Sequence, residues 1–256
     1  MLRGARSYTV CGLGLFIVLE IMLFGAIWYW PTFMENIGSV MKLAKFSPIL
    51  AEQVTAIERG GVAAYVVGQH FFKGCSAVGV SGAILFAANT IASEAHRGTL
   101  EIHLARPVSR TRLLTERWFA GLIAVTLPVL ATSLTIPPLM EACGIDEVML
   151  WGDVVRCAMY MALFLAPIYA ATFACSAMSS DPLRISLAAL FLSILAFAVY
   201  FVEVLTDYTP FRLVDIRVFM DIVEKDTLDW RFAAPMVAAT IVLYIVALRA
   251  FRTRTP

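Results

Sequence analysis

The sequence between Ile91 and Arg117 reads IASEAHRGTLEIHLARPVSRTRLLTER, a polar, Arg-rich segment with a long apolar run on either side. Across the whole chain, 60% of residues are hydrophobic and 15% are charged. Soluble domains have roughly 45–50% apolar and 25% charged residues, so most of this chain has lipid as its solvent. The composition therefore predicts a polytopic membrane protein that this polar segment divides.

The apolar runs predict the number of membrane spans. A helix needs about 20 apolar residues to cross the roughly 30 Å hydrocarbon core. Lipid offers the backbone no hydrogen-bond partner, so each crossing segment has to be helical. We predict an all-α chain with one transmembrane domain over residues 1–256. Its six predicted transmembrane helices are Tyr8–Trp30, Phe71–Ala92, Trp118–Met140, Val154–Met178, Leu183–Leu205 and Phe232–Phe251.

The positions of Lys and Arg predict the orientation, because cations near span ends are retained in the cytoplasm. With the N-terminus inside, the inner segments hold eleven cations and four acids, whereas the outer loops hold nine cations and fourteen acids. We therefore expect both termini to be cytoplasmic. The net charge of the chain is only +1, so topology and anionic membrane lipid explain the basic inner face, and no nucleic-acid partner is expected.

The outer loops also contain helical patterns. Between the first two spans, apolar residues recur at helical spacing from Met34 to Ala44, and a second stretch starts at Pro48 and stops at Gly60-Gly61. We expect these short amphipathic helices to lie against the outer surface of the bundle or of the membrane.

A third amphipathic element is predicted after the fifth span, from Thr209-Pro210 to Lys225. Arg217, Asp221 and Glu224 form one polar strip along it, and the other faces are apolar. Such a pattern is typical of an interfacial or re-entrant helix. Two interpretations are open: the helix is a lid on the bundle, or it contacts a substrate directly.

The polar segment contains the signals for a short helix between two bends. Gly98 interrupts the helix leaving the second span, and Thr99 is predicted to cap a new helix whose first turn favours Glu101. Pro107 disfavours helical geometry at the residue before it, and Ser109 is predicted to cap the helix entering the third span. A short helix at the cytoplasmic mouth of a bundle can pass motion between a soluble partner and the spans.

Two strings in this segment follow a known pattern: Glu94-x-x-Arg97-Gly98-Thr99-Leu100-Glu101, then Leu104-Ala105-Arg106-Pro107-Val108-Ser109-Arg110. Their spacing and their place after the second span resemble those of the type-2 permeases of ATP-binding-cassette (ABC) transporters. The resemblance implies a coupling helix that docks on an ATPase subunit. It assigns docking to Glu94, Arg97, Gly98, Thr99, Leu100, Glu101, Leu104, Arg106, Pro107, Ser109 and Arg110.

The resemblance also implies the function and the partners. It implies a permease subunit, not catalytic itself, and export is the family's prevailing direction. No GxxxxGK[ST] phosphate loop occurs in the sequence, so we expect no cofactor on this chain and place ATP and Mg on a separate ABC ATPase subunit. A second permease copy, identical or similar, is expected to complete the pathway. The expected location is the cytoplasmic membrane of a prokaryote.

Two features depart from the family's pattern. Arg117 stands where the family usually has Lys, and few residues precede Tyr8, where the family usually carries a longer amphipathic helix. The alternative function is a membrane scaffold or assembly factor, in which the charged residues are only helix caps and positive-inside anchors. Such a protein would keep its spans but would not depend on Glu94 or Arg97.

Glu20 is a possible intramembrane functional site. It lies in the middle of the first predicted span, where an ionisable residue is costly and indicates a role inside the bundle. The alternative is a protonated carboxyl group that is hydrogen-bonded to a neighbouring helix. The sequence does not distinguish these two interpretations.

An enzymatic function is not favoured. Gly79-Val80-Ser81-Gly82 matches the GxSG of rhomboid intramembrane serine proteases, but a nucleophilic Ser needs a base, and no span after the second contains a His. No HExxH motif for zinc is present. The small residues are more simply explained by close helix packing, so no catalytic or metal-binding residue is predicted.

Overall fold

The computed structural model describes residues 2–100 and 109–253, with side chains from Tyr8 onward. Within these ranges the chain is all-helical, as predicted. The elements are α1 (Leu2–Glu35), α2 (Ile37–Ala44), α3 (Pro48–Val66), a π-helix (Val67–Gly79), α4 (Val80–His96), α5 (Arg110–Leu134), α6 (Ile136–Ala142), α7 (Trp151–Met178), α8 (Pro182–Tyr200), two 3₁₀ turns (Thr206–Tyr208 and Pro210–Val214), α9 (Ile216–Lys225) and α10 (Trp230–Thr253).

Six helical segments in the described part of the chain are long and apolar enough to cross a membrane, which confirms the predicted number. Their boundaries differ from the prediction mainly in the second, third and fifth. The observed segments are Tyr8–Glu35, Pro48–His96, Arg110–Ala142, Trp151–Met178, Pro182–Tyr200 and Trp230–Thr253.

The second segment is much longer than the predicted Phe71–Ala92. The predicted stop of the preceding helix at Gly60-Gly61 is confirmed, because Gly61, at φ 60° and ψ −147°, is not helical, but a new helix begins directly after this bend. The π-helix then continues to α4. A π-helix bonds each backbone N–H to a carbonyl five residues back, so it remains compatible with a lipid surround.

The third and fifth segments contain breaks that hydropathy does not show. Helix α5 ends at Leu134, and α6 begins after Thr135 with Pro137 in its first turn, where a missing N–H costs nothing. The fifth membrane segment, α8, ends at Tyr200, short of the predicted Leu205. There the Thr206 hydroxyl donates to the carbonyl oxygen of Tyr200 at 2.8 Å, which favours a turn over another helical turn.

Helix α7 is the centre of the bundle. It packs against α10, α4 and α5, while α1 packs against α5 and the π-helix. Large side chains such as Tyr160, Phe164 and Phe173 are fully or almost fully buried along α7. By contrast, little of α8 and α10 is buried, and most of their exposed residues are apolar, which suits helices that face lipid or another membrane subunit.

The outer segment after the fifth span lies on the bundle. It divides at Asp215 into a 3₁₀ turn and α9. Phe219 of α9 is buried and stacks on Phe71 with ring centroids 5.1 Å apart, and Arg217 forms an ion pair with Glu52 of α3. These contacts favour the lid interpretation, and contact with a substrate stays a hypothesis.

Glycines permit the closest helix contacts. A Cβ added at Gly82 would lie 3.3 Å from the side chain of Leu15, and one at Gly79 would lie 3.3 Å from that of Leu165. The intervening Ser81 hydroxyl donates to the carbonyl oxygen of Ala77 at 2.6 Å. The GxSG string therefore serves helix packing, as the sequence indicated.

Gly121 gives a test of this packing. A Cβ there would overlap the hydroxyl of Tyr169 and lie 3.0 Å from its Cζ. Gly121→Ala should destabilise the fold by about 1–3 kcal/mol, the usual cost of overpacking, and lower the thermal midpoint in detergent. Gly25→Ala is the matched control, because a Cβ at Gly25 meets nothing within 4 Å. Equal midpoints for both variants would contradict this packing.

Candidate functional site at the basic end

Both chain ends lie at the same end of the bundle. Tyr8, in α1, lies beside Thr90 near the end of α4. The Arg110 guanidinium, at the start of α5, donates to the carbonyl oxygen of Arg252 in α10 at 3.2 Å. We call this the basic end, because most of the chain's excess positive charge lies in its segments.

Helix α4 ends where the sequence predicts. Gly98 has φ 66°, a left-handed conformation that glycine adopts without strain. Its N–H donates to the carbonyl oxygen of Ala95 at 3.1 Å, and the N–H of Arg97 donates to that of Ser93 at 3.2 Å. The chain therefore changes direction directly after the last residues of the second segment.

The two predicted caps have different outcomes. The Ser109 hydroxyl accepts the N–H of Arg112 at 3.2 Å, which confirms the cap of α5. The Thr99 cap is wrong, because Thr99 is already helical and its hydroxyl donates to the carbonyl oxygen of Glu94 at 3.3 Å. This hydrogen bond ties Thr99 to the last turn of α4, and the N–H groups that the hydroxyl was predicted to accept lie outside the described residues. Leu100, beside it, is buried.

Glu94 has a partner within the chain. The Arg117 guanidinium of α5 forms an ion pair with the Glu94 carboxylate. Their side chains are only 13% and 24% exposed, respectively. The Glu94 carboxylate, which the resemblance assigns to docking, is thus held in an ion pair between α4 and α5. Its partner Arg117 stands where the family usually has Lys.

Ser176 fastens α4 to the central helix. Its hydroxyl accepts the N–H groups of Ile91 and Ala92 at 3.2 and 2.9 Å, and donates to the carbonyl oxygen of Ala88 at 2.9 Å. The side chain is fully buried. Sequence reasoning missed this contact, because a single Ser in an apolar helix gives no signal of the backbone it meets.

Two tyrosines complete the cluster around the end of α4. Tyr8 from α1 and Tyr169 from α7 both lie beside Thr90. The Tyr169 hydroxyl also lies 3.3 Å from the carbonyl oxygen of Trp118, to which it donates. Helix α4 is therefore joined by polar contacts to α5 and α7 within its last two turns, and Tyr8 of α1 lies beside it.

The remaining predicted docking residues form an open rim or lie outside the described residues. Arg97 is exposed, and its guanidinium donates to the carbonyl and hydroxyl oxygens of Ser93 at 3.1 and 3.0 Å. Gly98 has open space around it. Glu101, Leu104, Arg106 and Pro107 lie outside the described residues.

Glu20 lies away from this rim and has a partner on a neighbouring helical segment. The Thr135 hydroxyl, at the break between α5 and α6, donates to a Glu20 carboxyl oxygen at 3.0 Å. The sequence could not name this partner. In the described part of the chain, no group of three or more His, Cys, Asp or Glu residues could hold a metal ion.

These features define a multi-pass membrane protein with a polar, partly exposed turn at the end of its second span. The chain belongs to the ABC-2 family transporter proteins, whose sequence model matches residues 34–255. A permease subunit of an ABC transporter is the role of this family, and its members generally work with an ABC ATPase. No match was found among curated proteins.

The Glu94–Arg117 ion pair generates a stability prediction. Glu94→Gln leaves a poorly exposed guanidinium without its counter-charge, and should lower stability by about 1–3 kcal/mol, between the values for exposed and fully buried pairs. Thermal unfolding in detergent measures the loss, and the Glu94→Gln/Arg117→Gln double variant should lose less than the sum of the two single variants.

The Arg112–Glu116 pair provides the matched control. It spans one helical turn of α5, and its side chains are 69% and 45% exposed. Glu116→Gln should therefore leave the thermal midpoint almost unchanged, because exposed ion pairs contribute little. A loss of stability for Glu116→Gln as large as that for Glu94→Gln would contradict the stabilising role of the Glu94–Arg117 ion pair.

Proposed function

We propose that this chain is the membrane-spanning subunit of an ABC exporter, driven by ATP hydrolysis on a separate ATPase subunit. The observation that carries this proposal is the polar turn at the end of α4, which has an exposed rim at Arg97 and polar contacts to α5 and α7. Family membership supports the permease role. Export and the ATPase interface rest on the resemblance and on this geometry.

The proposed mechanism is mechanical and needs no chemistry on this chain. An ATPase that pushes on the rim near Arg97 displaces the end of α4. The ion pair with Arg117 and the hydrogen bonds with Ser176 pass that displacement to α5 and α7, because packed helices move as units. Reversing a two-state balance from 1:99 to 99:1 requires about 5.5 kcal/mol of differential binding. Closure of an ATPase around nucleotide is the proposed source of that energy.

The arrangement of subunits is part of the proposal. The basic end faces the cytoplasm of a prokaryote, where ATP and Mg are held by the ATPase, and both termini are cytoplasmic. A second permease copy, identical or similar, completes the pathway. The apolar, poorly buried surfaces of α8 and α10 suit lipid and such a subunit. The scaffold alternative has no specific observation in its favour.

Arg97→Glu tests the docking rim. Arg97 is exposed, and among the described residues its guanidinium hydrogen-bonds only to its own helix. The substitution therefore reverses a rim charge without breaking the Glu94–Arg117 ion pair. Affinity purification in mild detergent, with an assay for co-purifying ATPase activity, should show a severalfold loss of ATPase recovery. The physical reason is that a reversed charge at the rim disrupts the charge complementarity between the two interface surfaces.

Arg184→Glu is the matched control for the docking test. Arg184 is also an exposed cation near the basic end, but it lies at the start of α8. This variant should retain the wild-type ATPase recovery. Absence of any ATPase with the intact wild-type protein would sink the permease proposal. Equal losses for the two variants would sink only the assignment of docking to the α4 rim.

A further inference from the structure

An apolar groove runs between α1 and α5. It has a volume of about 310 Å³, and its lining includes Gly12, Leu13 and Phe16 from α1 and Ala124 and Ala131 from α5. The two helices approach closely at one point, where a Cβ on Gly12 would lie 3.3 Å from the carbonyl oxygen of Ala124. The volume is at the lower end of the roughly 300–1,000 Å³ that is usual for ligand pockets.

A carboxyl group lies one helical turn beyond the residues that line the groove. Glu20 follows Phe16 by one helical turn, and Thr135 follows Ala131 by a similar distance, so both lie on the helix faces that line the groove, one turn beyond its lining. The Thr135 hydroxyl donates to Glu20 at 3.0 Å. Among the described residues, Thr135 is the only hydrogen-bond partner of Glu20, so the carboxyl group keeps further capacity to accept. The Glu20 side chain is only partly buried.

Glu20 lies at a depth that lipid headgroups do not reach. It is about 18 Å along α1 from Tyr8 at the basic end, and about 12 Å from Trp28, by the rise of an α-helix. Trp28 is exposed, as is typical of residues at a membrane interface. Glu20 is therefore near the middle of a hydrocarbon core about 30 Å thick. A resident lipid would place only acyl chain against it.

We propose that the α1–α5 groove binds an amphiphile that has one apolar chain and an amine headgroup. The chain lies along Gly12 and Ala124, and an amine N–H donates to Glu20. A carboxyl group accepts an N–H whether it is ionised or protonated. As a cargo site this assignment rests on the proposed transport function, and as a binding site it is tested separately from it.

The test measures binding of dodecylamine and dodecanol, two probes with the same chain, to the purified protein in phosphatidylcholine nanodiscs. Empty nanodiscs give the partition background. The wild-type protein should bind dodecylamine about tenfold more tightly than dodecanol, because a charge-assisted hydrogen bond is stronger than a neutral one. Glu20→Gln should remove most of this preference, and Ala124→Leu, which fills the groove, should weaken binding of both probes.

Two matched controls address general effects of these substitutions. Glu224→Gln removes an exposed acid from α9, and Ala188→Leu adds the same volume to an exposed position on α8. Both should bind the two probes as the wild type does. An absent amine preference in the wild-type protein, or an unchanged preference in Glu20→Gln, overturns the proposal.

A second copy of the chain is the competing occupant of the groove. If oxidation of a Leu13→Cys variant in native membranes gives a cross-linked dimer that the wild type does not form, the groove is covered by another subunit and the proposal fails. ATPase co-purification is scored in the same preparations. Retained ATPase recovery without amine preference would refute the binding site alone, whereas amine binding without an ATPase would refute the transporter role alone.

Discussion

The constraint on which this structure depends is that hydrocarbon gives the backbone no hydrogen-bond partner. Six helical segments satisfy it, and even the irregular parts obey it. The bend at Gly61 is followed at once by new helix, and the π-helix of Val67–Gly79 changes the bonding partner of each N–H without leaving it unbonded. Irregular geometry is therefore concentrated where helical bonding continues or where the chain leaves the apolar layer.

The second constraint is mechanical. A turn at the end of a single helix moves that helix alone, unless other contacts share the displacement. Here the ion pair of Glu94 with Arg117 and the Ser176 hydroxyl join the end of α4 to α5 and to the central α7. Because these contacts are poorly exposed, water competes weakly for them. The rim near Arg97, in contrast, remains open to a partner.

The described residues of this segment thus fall into two groups. Arg97 and Gly98 lie at the surface, where charge and backbone freedom suit a protein interface. Glu94 and Leu100 instead make contacts within the chain: Glu94 forms an ion pair with Arg117, and Leu100 is buried. The resemblance assigns all of these residues to docking. The geometry instead separates an exposed pair, Arg97 and Gly98, from two residues that make contacts within the chain, Glu94 and Leu100.

By itself, the sequence determined the all-α membrane fold, the six spans and the break at Gly98, because span length, apolar composition and glycine conformation are local properties. It also determined the Ser109 cap, which needs only residues within one turn. It did not determine that helix resumes after Gly61, nor that the fifth span ends at Tyr200, because those ends depend on competing hydrogen bonds. Only the tertiary structure decided that Glu94 meets Arg117, Ser176 meets the α4 backbone and Glu20 meets Thr135. Each of these pairs joins residues far apart in the chain, and helix packing alone brings them together.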